Sequence, residues 1–132
     1  MFQEPGRTQY DLNFNLFGFP VRVHPGFFVI SILFGQGAIS LGSRLGLNAG
    51  VSLLVIIVVF FLSILIHELG HTFAFRMYGV RSSVCLYWLG GLAIPDRSSR
   101  RLTSNQQIVV SLAGPAFGLL FGAVLVLSLI HI

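Results

Sequence analysis

The chain has 132 residues, of which 55% are hydrophobic and only 9% charged, and its eight basic residues are all arginine, for a net charge of +4. A soluble domain carries about a quarter charged residues, so these few charges cannot cover the surface of a water-soluble globule of this size. No polar, basic stretch of the kind that binds nucleic acid is present, and a single cysteine, Cys85, excludes an intrachain disulfide framework.

Residues 1–9 are polar and read as loose. In LNFNLFGFPVRV, Leu12, Phe14 and Leu16 alternate with Asn13 and Asn15 until Gly18 and Pro20 break the period of two. That pattern predicts a short hairpin at the membrane surface. Pro25 to Leu41 is free of charge and, at about 17 residues, near the lower limit for crossing a bilayer core. His24, beside Pro25, reads as an interfacial residue rather than a ligand. A stronger span runs from Ala49 to Ile66, and its helical pattern continues to about Tyr78, where Gly79 offers a stop.

Next, SSVCLYWLGGLAIP sets Val84, Leu86 and Trp88 on one side and Cys85, Tyr87 and Leu89 on the other. It predicts strands with Gly90 and Gly91 at a turn or bulge, and Tyr87 and Trp88 suit the headgroup level. The third span, Ile108–Ile130, contains Pro115, which should kink it. Along it Gly114, Gly118 and Gly122 recur every four residues, a stripe that allows close helix packing or a homo-oligomer contact. Between the second and third spans lie Arg76, Arg81, Arg97, Arg100 and Arg101 against Asp96, whereas Arg44 stands alone between the first two. The positive-inside rule places the 76–107 interval, and with it the N-terminus, in the cytoplasm. The expected fold is therefore mainly α: a single multi-pass cell-membrane domain over residues 1–132. It has about three transmembrane helices and short strands at the cytoplasmic face.

Within FFLSILIHELGHTFAFRMYGV one of only four acids sits between two histidines, at the end of an apolar run. Charged groups at membrane depth cost about 2.5–3.5 kcal/mol each and are seldom idle. His67 and His71, four apart, lie on one helix face and can offer ring nitrogens to one metal ion. Glu68 is displaced around the helix, where it can reach a metal-activated water and take its proton without ligating. The HExxH arrangement is that of zinc metalloproteases.

HELGH at the cytoplasmic end of a transmembrane helix resembles the site-2 protease family of intramembrane zinc metalloproteases. FGFPVRVHPGFF, LYWLGGLA and SLAGPAFG fit the same family in its order, so the resemblance covers nearly all of Leu12 to Leu120. It implies that His67 and His71 bind zinc, that Glu68 is the general base, and that the substrate is a transmembrane protein within the lipid bilayer. It also implies an aspartate ligand from a later helix. Asp11 and Asp96 lie in polar intervals, so the sequence reads as the N-terminal portion of such a protein and is expected not to be a competent protease by itself. Where the family often shows Gly-Pro-x-x-Asn, this chain has Gly114, Pro115 and then Gly118, which favours helix packing over substrate contact at these positions. For the Gly90–Gly91 strands the resemblance adds a second reading, an exposed edge that pairs with an unwound substrate. A function of another class stands beside proteolysis: a non-catalytic membrane module that grips helices through this edge and the glycine stripe.

Overall fold

A computed structural model describes residues 5–97 and 100–132. It runs β1 (Leu12–Leu16), β2 (Phe19–Val23), α1 (Pro25–Arg44), α2 (Ala49–Met77), β3 (Ser82–Tyr87), β4 (Gly90–Pro95) and α3 (Ser104–His131). The three helices have mean hydropathies of 1.6, 3.1 and 2.2 over their apolar windows and are each long enough to cross a membrane. The fold is thus mainly helical with a small sheet, as expected.

The termini of these elements follow local chemistry. Asn48 caps α2 by accepting from the Val51 amide at 2.8 Å. At the other end Gly79 takes φ 75°, the left-handed conformation that closes a helix. α1 runs on to Arg44, past the expected Leu41, and stops before Gly46 at φ 80°. α3 starts four residues earlier than the apolar run alone predicts. There Thr103 and Gln106 form a reciprocal capping box that satisfies two orphan donors. His24 is a structural cap: its Nδ1 accepts from the Gly26 amide at 3.0 Å, and its own amide donates to the Leu86 carbonyl at 2.7 Å.

All four strands join one sheet in the order β1-β2-β3-β4. The β1–β2 and β3–β4 pairs are antiparallel hairpins, and β2 pairs parallel with β3, Val21 opposite Val84 and Val23 opposite Leu86. A parallel pair needs a long crossover, and here α1 leaves the sheet and α2 returns to it. The β1–β2 turn is Phe17–Gly18, both at positive φ (52° and 82°), the twist that suits a two-residue hairpin. Phe17 tolerates this because Arg76 donates to its carbonyl and its ring lies 5.9 Å from that of Phe73. The β3–β4 turn is Trp88–Leu89, so Gly90 and Gly91 are not at the turn but begin β4. The indole of Trp88 instead lies flat against Gly26, where any side chain would overlap it.

The core lies where the sheet meets the near ends of α1 and α2. Val21, Val23, Val84 and Leu86 from the strands pack with Phe27, Leu65 and Leu69 from the helices. Phe27 is wholly buried, with the rings of Phe28, Phe60 and Phe61 all within 6.0 Å of it. The last three turns of α2 are thereby held against the sheet, while its first half turns Leu54, Val55 and Val58 outward.

Candidate metal and catalytic site

His67, Glu68 and His71 lie where α2 passes from its outward-facing half to the half held against the sheet and α3. The i, i+4 spacing stacks the two histidines, with ring centroids 5.0 Å apart and Nε2 atoms 3.3 Å apart. Two nitrogens bound at about 2.0–2.1 Å to one tetrahedral ion would be separated by about 3.3–3.4 Å. The separation of the pair therefore matches that of two nitrogens on one zinc-sized ion. The Nδ1 of His71 lies 2.7 Å from the Val110 carbonyl. A carbonyl only accepts, so Nδ1 carries the proton and Nε2 of neutral His71 is left with a lone pair to offer.

Glu68 projects to the other flank, against β4. It is 7% exposed, and its carboxylate lies under the influence of the Ala93 backbone amide. Alternation along β4 sends the Gly91 and Ala93 amides away from β3, so Glu68 meets the outer edge of the sheet. Gly91 makes this approach possible. A Cβ there would overlap Glu68 Cγ and come within 2.7 Å of its carboxylate oxygen.

α3 closes the opposite flank. A Cβ on Gly70 would stand 2.5 Å from the Ala113 carbonyl oxygen, so α2 and α3 touch backbone to backbone at this level. A Cβ on Gly114 would overlap the His71 ring, and one on Gly118 would make ordinary contact, 3.7 Å, with His67 Nδ1. Around Gly122 there is open space. Pro115 is exposed on α3, and a Cβ on Gly90, at φ 112°, would meet Ile64 at 3.8 Å and not the carboxylate.

The fold thus gathers His67, Glu68, His71, Gly91 and Gly114, with Gly118 at the margin, and leaves Gly90, Pro115 and Gly122 outside. Among the described residues no third histidine, cysteine, aspartate or glutamate joins the two histidines. Two groups that complete the cluster escaped sequence reasoning, the Val110 carbonyl and the Ala93 amide. Both belong to the backbone, which looks alike at every residue. The usable signal was indirect: a glycine one helical turn after Val110, and another two residues before Ala93.

A profile of peptidase family M50 matches residues 55–132, which include all three polar residues of the cluster. The chain is 29% identical over 115 residues to a zinc metalloprotease of Methanocaldococcus jannaschii, covering 86% of this chain and 31% of that protein. It is 32% identical over 110 residues to a Synechocystis protein assigned by name to the zinc metalloproteases, covering 80% of this chain and 28% of the other. The fold is similar to that of a site-2 protease from Methanocaldococcus jannaschii, with a TM-score of 0.60 and 26% identity over 90% of this chain and 51% of that one. The chain spans about three-tenths of the length of the curated relatives it matches.

Proposed function

The chain belongs to peptidase family M50, and from that premise we propose that it carries the zinc site of an intramembrane, site-2 protease-like metalloprotease. The substrate class is membrane proteins cut in or near their transmembrane segments. The observation that carries this reading is the pair of Nε2 atoms 3.3 Å apart, beside a buried carboxylate at a sheet edge. His67 and His71 are then two of the three protein ligands typical of a catalytic zinc site. Zinc, when bound, supplies the Lewis acidity that makes water a nucleophile near neutral pH.

Glu68 takes the proton from the attacking water and returns it to the departing amine, as a general base and then acid. Its place against Ala93 keeps the carboxylate from turning toward the histidines as a ligand. The outer edge of β4 offers backbone groups to an extended peptide, so an unwound substrate added there would pass alongside Glu68. Pro95, without an amide, ends that edge. The half-exposed Trp88 suits the headgroup level and sets the depth of the hairpin, whereas Tyr87, expected beside it, is buried in the core.

Residues 1–132 act as one membrane-embedded unit, with the sheet and the arginines of the 76–107 interval on the cytoplasmic side. Of the three stripe glycines, Gly122 is the one left open, so self-association through α3 would run through its far end. The test is metal content. Purified in detergent, His67→Ala and His71→Ala should each retain less zinc than the parent by elemental analysis. Equal zinc in all three would place the metal elsewhere and end this reading.

A further inference from the structure

We infer that α3 is a positioning element for His71: the Val110 carbonyl and the empty space at Gly114 hold the imidazole in its Nδ1–H tautomer, with Nε2 aimed at the metal position before a metal arrives. The inference rests on the reading of His67 and His71 as metal ligands, and goes beyond it by making one ligand depend on the helix opposite.

Helix geometry explains why these two positions act together. Within α3 the Val110 carbonyl accepts the Gly114 amide, leaving its second lone pair for an outside donor. Each Cα–Cβ bond on a helix tilts toward the N-terminus, so a side chain at 114 would cover the turn that contains the Val110 carbonyl. With glycine there, that carbonyl is open, and His71 donates to it at 2.7 Å. The same absent side chain makes room for the ring itself, because a Cβ at 114 would overlap Nε2 and Cε1 of His71. Gly70 supplies the matching gap on α2 and lets the two backbones meet.

His67 is held differently. Gly118 would reach it only at ordinary contact distance, and among the described residues its Nδ1 has no hydrogen-bond partner. The two histidines are therefore not equivalent. α3 holds the His71 ring in place, and His67 is left to adjust to it.

An outer partner that orients a metal-ligating histidine typically changes metal affinity about 10–100-fold when lost. The experiment uses the whole chain in detergent micelles with ¹⁵N-labelled histidine, first without metal. His71 should show the Nδ1–H tautomer in the parent chain. In Gly114→Ala that tautomer should be lost, zinc affinity should fall about 10–100-fold, and the visible spectrum of the cobalt-loaded protein should change. Gly122→Ala, which enters open space, should match the parent in all three readouts.

A helix-packing role alone would lower the melting temperature of Gly114→Ala and leave the tautomer and the cobalt spectrum as they were. That result would overturn the inference. So would an Nε2–H tautomer at His71 in the metal-free parent, a measurement that stands even where Gly114→Ala does not fold. Failure of the underlying reading is distinguishable: His71→Ala would then retain parent-level zinc, whereas failure of the inference alone leaves zinc lost in His71→Ala and kept in Gly114→Ala.

Discussion

The two ends of the sheet each hold a carboxylate, and they treat it in opposite ways. Beside β2, Asp11 accepts from the Thr8 hydroxyl at 2.7 Å and from the Arg22 guanidinium at 2.9 Å. These partners, the Thr8 hydroxyl first, hold its carboxyl below the usual carboxylate range. Arg22 is itself buried and also reaches the Cys85 sulfur and the Pro5 carbonyl. Beside β4, Glu68 is as deeply placed as Arg22 but faces a backbone amide instead of a guanidinium. Among the described residues no arginine pairs with it. An acid that builds structure is matched with opposite charge. The one proposed here as a general base is positioned by the strand edge and left without an arginine partner.

The largest effect that can break this contrast is on catalysis. Glu68→Gln keeps the shape and the Ala93 contact but removes the base. With the family's aspartate-bearing helix supplied to complete the proposed site, cleavage of a membrane-embedded reporter should fall about a hundred- to ten-thousand-fold in this variant, with zinc content unchanged. Undiminished cleavage would make Glu68 another structural acid.

Packing comes next. Gly91→Val drives a branched side chain into the space of Glu68 and should destabilise the fold by about 1–3 kcal/mol. On the opposite edge, exposed Asn15→Val should stay within about 0.5 kcal/mol of the parent. Denaturant melts of both variants in one detergent decide it. Equal midpoints would mean that β4 is not seated against the carboxylate.

A third test uses pH. Because the Asp11 carboxyl is lowered in the folded chain, its contribution to stability is fully present above its ordinary value and fades as pH falls through the depressed one. Parent and Asp11→Asn should therefore differ in melting temperature near neutrality and converge in acid. A gap that is constant, or that widens in acid, would remove the structural role assigned to Asp11.

The smallest perturbation concerns sidedness. Ser104→Cys, at the exposed start of α3, should leave stability within about 0.5 kcal/mol of the parent. A membrane-impermeant thiol reagent should label it in inverted vesicles and not in intact cells. The reverse pattern would put both ends of the sheet, and the site between them, on the outer face.

The elements themselves were legible from residue order. Charge-free runs marked all three helices, since a bilayer requires long apolar segments whose backbone groups are satisfied internally. Period-two alternation marked the strands, and HELGH marked the chemistry, because an i, i+4 pair is a local relation that any helix displays. The limits of what could be read were set by contacts between distant segments. The parallel pairing of Arg22 with Cys85 bridges the two hairpins across 63 residues and turns them into one sheet, which neither strand announces. Gly91 reads as a turn residue by composition, and it begins a strand because Glu68, from another element, occupies the place of its side chain. The amide of Ala93 and the carbonyl of Val110 complete the cluster with groups that every residue carries. Only the crossing of α2 with α3 and the seating of β4 decide which of those identical groups a histidine or a carboxylate will find.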